Sequence, residues 1–160
     1  MVQLGRQVPL EVFKTAKKGW GVRTVKALEP GTFVEQYLGE VISDKDGAQR
    51  GKIYDRIGIS YLFNMDIDGQ PKNVIDSYLC GNASHYLNHS CDPNLVVFGV
   101  FYDSVDPSFH RLAFFTKRAV AAGEELTFDY IGDNLGDNAI VSRRFPCYCA
   151  STNCRKWIHL

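Results

Sequence analysis

Apolar residues occur along this chain in short runs rich in β-branched and aromatic side chains. The pattern predicts eight β-strands, at residues 10–14, 20–25, 33–38, 61–66, 73–76, 95–102, 112–116 and 125–128. Turn or loop signals separate these runs, at residues 30–31, 68–71, 92–94 and 122–123. The chain is therefore predicted to be mostly β, built from several small sheets.

Helical signals are fewer than strand signals. The one convincing longer helix begins near Asp44, a residue type that caps helix N-termini well, and runs toward Arg56. Gly47 and Gly51 lie within that stretch and weaken the helix. A second short helix is predicted at residues 82–87.

A polar, glycine-containing stretch at residues 131–142 predicts a linker near the end of the chain. It divides the sequence into a domain at residues 1–142 and a small cysteine-rich tail at residues 143–160. A length of 160 residues is enough for one domain with its own core and short for two. We therefore expect one domain followed by a short tail.

Lysine plus arginine and aspartate plus glutamate both number 18, which gives a formal net charge of +0. This balance argues against strong intrinsic nucleic-acid binding by the domain. No apolar run is long enough to cross a membrane, and no secretory signal pattern opens the sequence. We therefore expect an intracellular protein without membrane contact, while its oligomeric state has no signal in the sequence.

Cysteines carry the clearest chemistry in the tail. Cys147, Cys149 and Cys154 form a Cys-x-Cys-x4-Cys pattern, which supplies three of the four ligands that tetrahedral structural zinc requires. Cys91 is the obvious fourth ligand if the tail folds back over the domain. The alternative is a set of free thiols beside a core cysteine. Cys80 has no partner in this scheme and is predicted to be a small buried hydrophobic residue.

Several segments resemble, in order, the signature segments of SET-domain lysine methyltransferases. They are Lys18-Gly-Trp-Gly-Val-Arg23, Tyr61-Leu-Phe, Gly81-Asn-Ala-Ser-His-Tyr-Leu-Asn-His-Ser-Cys-Asp-Pro-Asn94, Gly123-Glu-Glu-Leu-Thr-Phe-Asp-Tyr130 and the cysteine pattern of the tail. Any one of these motifs is weak evidence, but several in order are strong. Within the family, the chain is most similar to the suppressor-of-variegation subgroup, which methylates the ninth-position lysine of histone H3.

The resemblance implies a SET-domain fold of small β-sheets with a threaded crossing, few short helices and a zinc-binding post-SET tail. In that crossing, the segment from Asn88 to Cys91 passes through a loop formed by the segment that ends at Tyr130, a known exception to the rule against threading. The crossing brings two distant motifs into one site. The cofactor is then expected on one face, and the substrate lysine reaches it through a narrow channel from the other.

The resemblance also implies the residues that bind S-adenosylmethionine. They are Gly19, Trp20, Gly21, His85, Asn88, His89, Tyr130 and Trp157. Glycines on both sides of a tryptophan let the backbone approach a ligand closely, although an ordinary turn is the better interpretation of that pair taken alone. His85 stands where many family members carry arginine, so its cofactor contact is expected to be weaker or pH-dependent. Trp157 is expected to close the channel and cover the cofactor.

Tyr130 is the predicted catalytic residue, with Tyr61 as the second tyrosine of the channel and Phe128 at the position that governs how many methyl groups are added. Methyl transfer from a sulfonium to an amine is a direct displacement, so it depends on positioning and on a neutral lysine. Phenylalanine at position 128 leaves room for a methylated amine and predicts di- or trimethylation. The alternative is that both tyrosines only pack in the core.

The implied partner is the histone H3 tail or the nucleosome, which places the protein in the nucleus on chromatin, with a role in heterochromatin silencing. One departure from the subgroup is that no cysteine precedes Cys80, so the zinc-rich pre-SET region is absent from these residues. The chain is expected to be either an excised catalytic fragment or a streamlined member. Two alternatives are a lysine methyltransferase for a non-histone protein and a catalytically silent peptide-binding SET module.

Overall fold

The computed structural model describes residues 2–58, 61–67, 70–104, 106–132 and 144–159. Within these ranges the chain forms twelve β-strands, one α-helix and three short 3-10 helices, so the predicted mostly β fold is confirmed. The chain divides into two compact units. The first is drawn from Met1–Gln7, Phe33–His85 and Val97–Phe114, and the second from Val8–Thr32, Tyr86–Val96 and Phe115–Leu160.

The first unit contains two three-stranded sheets and the α-helix. One sheet has the order β4-β6-β5 and is antiparallel, and the other has the order β3-β9-β8. The elements are β3 (Phe33–Gln36), β4 (Glu40–Ser43), α1 (Asp44–Ile57), β5 (Leu62–Ile67), β6 (Gln70–Asp76), β8 (Leu95–Val100) and β9 (Arg111–Thr116). The first two residues of β8 and the last two of β9 are assigned to the second unit. The core of this unit includes Phe33, Val34, Tyr37, Met65, Val74, Ile75, Ala113 and Phe114.

The second unit is organised around a four-stranded sheet of order β1-β2-β10-β7. Its strands are β1 (Leu10–Lys14), β2 (Trp20–Thr24), β7 (Asn88–His89) and β10 (Glu125–Phe128). The pair β10–β2 is antiparallel, whereas β10–β7 is parallel, with Thr127 opposite Asn88 and Phe128 opposite His89. A separate two-stranded sheet joins β11 (Arg144–Pro146) to β12 (Trp157–His159). The parallel pair brings together the two segments that the threaded crossing requires.

Each of the eight predicted strands has a counterpart in the structure. β1 and β10 begin and end at the predicted residues, and the other six predicted strands are present with shifted ends. Four further strands were not predicted: β4, β7, β11 and β12. Each has at most four residues, which is too short to show a period of two. They form because neighbouring strands supply hydrogen-bonding partners.

The helix α1 starts one residue after its cap. Ser43 is the N-cap, and its side chain accepts a hydrogen bond from the backbone N–H of Asp46 at 3.2 Å, so the predicted cap at Asp44 is wrong by one residue. Gly47 is buried, and a Cβ there would lie 3.0 Å from Val74 Cγ2. The glycine that weakens the isolated helix thus allows it to pack closely against β6. The second predicted helix is the 3-10 helix Ala83–Tyr86.

Two other sequence predictions have different outcomes. Cys80 is exposed, so its predicted burial is wrong, because it follows exposed Tyr78 and Leu79 on a bend. Most of the predicted linker, residues 133–142, lies outside the described residues. No helix in the described part of the chain is long and apolar enough to cross a membrane.

Replacing Asn94 by alanine is expected to destabilise the protein by about 3 kcal/mol, because one buried and one partly buried backbone group of β10 lose their partners. The Asn94 side chain is 1% exposed; its Oδ1 accepts from the N–H of Thr127 at 2.9 Å, and its Nδ2 donates to the carbonyl of Glu125 at 2.8 Å. Urea denaturation measures the change. Asn64→Ala, on an exposed position of β5, is the control, and equal stability of the two variants would contradict this role of Asn94.

Candidate active site and metal centre

Four cysteine sulfurs meet in the second unit. The Sγ atoms of Cys91, Cys147, Cys149 and Cys154 all lie within 4.8 Å of one another, and those of Cys91 and Cys147 are 3.8 Å apart. Four thiolates around zinc at about 2.3 Å would be separated by about 3.8 Å, so the donor set fits a tetrahedral zinc ion. The predicted grouping, with Cys91 as the fourth member, is confirmed.

Backbone N–H groups of the tail point at this sulfur cluster. The N–H of Arg155 donates to Cys91 Sγ at 3.3 Å, and the N–H of Lys156 donates to Cys154 Sγ at 3.4 Å. Such donors stabilise thiolates, the form that binds metal. The segment is held in this shape by the hydrogen bond from the N–H of Cys147 to the carbonyl of Lys156 at 2.8 Å.

Ionisation differs among the thiols of the cluster. Burial raises the pKa of the Cys147 thiol to about 12, and contacts with the neighbouring cysteines add to the effect. Burial also acts to raise the pKa of Cys149, but hydrogen bonds from Ser151 and from backbone N–H groups outweigh it and lower that pKa to about 5. Of these two thiols, Cys149 is therefore the more readily ionised, and the thiolate is the form that binds a metal.

His89 lies between the sulfur cluster and Tyr130. Its Nδ1 accepts the backbone N–H of Tyr130 at 3.2 Å, and its Nε2 is 3.4 Å from Cys91 Sγ. Burial lowers the pKa of His89 to about 4, since the raising effect of Asp129 is smaller. The ring is therefore neutral at pH 7. With Nδ1 acting as an acceptor, Nε2 carries the hydrogen and can donate it to Cys91.

Tyr130 is half-buried and its hydroxyl is oriented by the backbone. The hydroxyl donates to the carbonyl of Leu87 at 2.6 Å. The ring centroid lies 4.7 Å from that of buried Phe128 and 5.4 Å from that of His89. These contacts fix both the plane of the ring and the direction of the hydroxyl hydrogen.

Asn88 and the segment Gly19-Trp20-Gly21 also meet in the second unit. Asn88 Nδ2 donates to the carbonyl of Trp20 at 2.9 Å. The Trp20 ring is half exposed and carries the ammonium group of Lys14 5.0 Å from its centroid. The structure therefore brings together Tyr130, Phe128, His89, Asn88, the glycine segment and the sulfur cluster within one unit.

Tyr61 and His85 belong to the first unit and stack on each other. Their ring centroids are 4.8 Å apart with an interplanar angle of 23°, and the ring of Tyr78 also stacks on that of Tyr61, with centroids 6.0 Å apart. His85 Nδ1 lies 2.9 Å from the carbonyl oxygen of Ser77, which can only accept, so the tautomer that makes this hydrogen bond carries its hydrogen on Nδ1. The carbonyl of Tyr61 accepts the hydroxyl of Tyr37 at 2.9 Å.

Trp157 lies in β12 and is 39% exposed. The guanidinium of Arg144, in the paired strand β11, is 4.6 Å from the centroid of its ring. This cation-π contact holds one face of the indole against the tail. The predicted role of Trp157 as a cover for the cofactor remains a prediction.

Two ion pairs beside the site were not predicted. Arg155 Nη2 donates to Asp129 Oδ1 at 2.7 Å, and Lys18 Nζ lies 2.6 Å from Glu125 Oε2. Residues 18 and 125 are 107 positions apart, so no periodicity or local motif could pair them. Both pairs attach other segments to β10 or to the residue that follows it.

Comparisons with known proteins all identify the same family. The family model described as the SET domain matches residues 19–131. The histone-lysine N-methyltransferase Su(var)3-9 of Drosophila melanogaster is 47% identical over 163 residues, covering 98% of this chain and 26% of the relative. SUV39H2 of Homo sapiens is 41% identical over 169 residues, covering 99% of this chain and 41% of that protein. A histone-lysine N-methyltransferase of Schizosaccharomyces pombe described as H3 lysine-9 specific is 40% identical, covering 99% and 34%.

Solved structures give the same result. The crystal structure of KRYPTONITE in complex with mCHG DNA and SAH has a TM-score of 0.77 and 34% identity, covering 95% of this chain and 29% of that one. The Neurospora SET domain protein DIM-5, a histone lysine methyltransferase, has a TM-score of 0.72 and 36% identity, covering 81% and 54%. This chain thus spans only part of each of these proteins.

Zinc content is expected to depend on Cys91 as strongly as on the tail cysteines, because all four sulfurs form one cluster. We expect one zinc ion per chain in the purified protein. Loss of a residue that only hydrogen-bonds to a metal ligand typically lowers metal affinity roughly 10- to 100-fold. Cys91→Ser removes a proposed ligand itself, so it should lower zinc affinity by more than that. Elemental analysis and a competing chelator measure the effect. Cys80→Ser is the matched control, and zinc loss from that variant, or none from Cys91→Ser, would refute this ligand set.

Proposed function

The chain belongs to the SET-domain family, and from that premise we propose that it is a protein lysine methyltransferase that uses S-adenosylmethionine. The observation that carries the proposal is the collection of Tyr130, His89 and Asn88 around the parallel pair β7–β10. The relatives named as histone-lysine N-methyltransferases support the same activity. Support for the cofactor comes from KRYPTONITE, whose complex contains SAH, the demethylated form of S-adenosylmethionine.

We assign the residues of the site as follows. The lysine channel is formed by Tyr130, Tyr61 and Phe128. The cofactor is bound by Gly19, Trp20, Gly21, His85, Asn88, His89, Tyr130 and Trp157. Zinc is held by Cys91, Cys147, Cys149 and Cys154, in a post-SET tail at residues 143–160 that follows a SET domain at residues 1–142.

S-adenosylmethionine would supply a methyl group bonded to a sulfonium; the lysine nitrogen would bond to that methyl carbon as its bond to sulfur breaks, with S-adenosylhomocysteine as the leaving group. The protein must then orient a neutral lysine and stabilise the charge that develops on it. The single hydroxyl hydrogen of Tyr130 is engaged by the carbonyl of Leu87, so its oxygen can serve a substrate only as an acceptor. An acceptor oxygen can receive a hydrogen bond from the N–H of a neutral lysine, and it also attracts the partly positive methyl group during its transfer.

Phe128 sets the number of transfers in this proposal. Its side chain is 6% exposed and packs against the ring of Tyr130. Phenylalanine offers no hydroxyl that could hold the amine in one orientation. A mono- or dimethylated amine can then rotate and present its lone pair again, and aromatic faces attract a methylated ammonium. The products are di- and trimethyllysine.

The proposed substrate is the ninth-position lysine of the histone H3 tail, and the proposed setting is nuclear chromatin, where the mark silences transcription. The names of the relatives support this assignment. Two other functions are methylation of a non-histone protein and silent peptide binding. The oriented hydroxyl of Tyr130 favours catalysis over silent binding, because a module that only binds has no need of it.

Tyr130→Phe is expected to lower kcat by about 100- to 1,000-fold, because it deletes an oxygen that acts in the transition state. The melting temperature should fall by only a few degrees, since one hydrogen bond to Leu87 is lost. The assay uses labelled S-adenosylmethionine with a histone H3 tail peptide, the same peptide with arginine at position nine, and a panel of other lysine peptides.

Methylation of the panel peptides in preference to the H3 peptide would favour a non-histone substrate. If the zinc-loaded wild type methylates none of the peptides, the proposed methyltransferase activity is refuted, and the alternative of a peptide-binding module without catalysis remains. A Tyr130→Phe variant that retains most of its rate would show that this tyrosine is structural.

Phe128→Tyr is expected to stop the reaction at lower methylation. The new hydroxyl can hold the amine or a water, and one such hydrogen bond contributes on the order of 1 kcal/mol, enough to change relative rates about fivefold. Mass spectrometry of a lysine peptide over time distinguishes the mono-, di- and trimethyl products. Superimposable time courses for the wild type and the variant would contradict the role assigned to Phe128.

A further inference from the structure

The side-chain amide of Asn88 is held in one orientation by two acceptors. Its Nδ2 donates to the carbonyl of Trp20 at 2.9 Å and to Glu125 Oε1 at 2.9 Å. An amide nitrogen carries two hydrogens, so these two bonds use both of them. Rotation of the amide by half a turn would place its oxygen against two other oxygens. The direction of Asn88 Oδ1 is therefore fixed by its surroundings.

Glu125 is itself held by an ion pair. Its second oxygen, Oε2, lies 2.6 Å from Lys18 Nζ, and the two side chains are only 24% and 18% exposed. A carboxylate largely removed from water needs a compensating charge and hydrogen bonds. Lys18 supplies the charge, and Asn88 supplies a hydrogen bond to the other oxygen. Glu125 thus links the glycine segment of the chain to the strand β7.

Gly21 makes this arrangement possible. A Cβ at that position would lie 2.9 Å from Glu125 Oε1 and 3.0 Å from Asn88 Nδ2. Any larger residue would displace the carboxylate or the amide. The preceding turn is also fixed, because the backbone N–H of Lys18 donates to Thr15 Oγ1 at 2.8 Å. The position of Lys18 opposite Glu125 therefore follows from the fold of this segment.

The remaining polar atom of the amide is Asn88 Oδ1, and no donor to it is found among the described residues. An oxygen whose own amide is bonded to a carboxylate attracts positively charged donors and disfavours anions. S-adenosylmethionine carries such a donor, the ammonium group of its amino-acid part.

We infer that Lys18 and Glu125 are positioning residues that fix the amide of Asn88 so that its Oδ1 accepts a hydrogen bond from the ammonium group of S-adenosylmethionine. The inference rests on the proposed function. Neither Lys18 nor Glu125 touches the ligand in this scheme. Their effect is confined to the amino-acid part of the cofactor, and the adenosine part is bound independently of them.

The test compares two ligands that differ in that part. S-adenosylhomocysteine contains the amino-acid part, whereas 5′-methylthioadenosine keeps the adenosine and the thioether but lacks it. Dissociation constants are measured by calorimetry for the zinc-loaded wild type, Glu125→Ala, Glu125→Gln, Lys18→Met and the control Lys17→Met, whose side chain is exposed in the same turn. Melting temperatures verify that each variant is folded.

We expect Glu125→Ala to weaken S-adenosylhomocysteine binding by about tenfold, as loss of a charge-assisted hydrogen bond does. Lys18→Met should weaken it by about threefold. Glu125→Gln keeps an acceptor for Asn88 and should weaken binding less than Glu125→Ala. Affinity for 5′-methylthioadenosine should stay within about twofold in every variant, as should both affinities of Lys17→Met. In turnover, the KM for S-adenosylmethionine should rise in Glu125→Ala while kcat with saturating peptide stays within about twofold.

An equal loss of affinity for both ligands, or no loss for S-adenosylhomocysteine, overturns the inference while the proposed function stands. If Glu125→Ala does not fold, Lys18→Met gives the same selective comparison. If the wild type binds neither ligand, the proposed function fails and this inference fails with it.

Discussion

The buried amide of Asn94 is the interaction on which the second unit depends. It accepts from the N–H of Thr127 and donates to the carbonyl of Glu125, so it is bonded to the backbone of β10 on both sides of Leu126. A shift of β10 by one residue would break these bonds and turn its side chains to the opposite face. The register of β10 determines where Glu125 and Phe128 lie, and the chain continues from it directly to Tyr130. One amide thus holds the strand that leads into the proposed catalytic residue.

The sulfur cluster and the proposed catalytic residue are coupled through shared neighbours. Arg155 follows the last cysteine of the tail and pairs with Asp129, the residue before Tyr130. His89 lies between Cys91 and the backbone of Tyr130. A metal bound by these cysteines would therefore also order the groups around Tyr130. The free energy of metal binding would contribute to the folding of this unit, because the four cysteines come from two distant segments.

Residue patterns predicted the parts of the structure that depend on local sequence. β1 and β10 were located correctly from short runs of apolar residues, and the grouping of Cys91 with the three tail cysteines was predicted from the number of ligands that tetrahedral zinc requires. The prediction that Cys80 is buried was wrong, because the spacing of cysteines carries no information about their exposure. The ion pair of Lys18 with Glu125 could not be predicted, since it depends on tertiary folding across 107 positions.

The strand order β1-β2-β10-β7 has a consequence for biosynthesis. The strand made last, β10, lies between two strands made earlier, so the ribosome releases β2 and β7 long before their common partner exists. Each of them carries an open row of backbone donors and acceptors until residue 128 emerges. Pairing across such sequence distances is slow, and open strand edges favour association between nascent chains. Incomplete chains are therefore expected to be more prone to association than the finished domain.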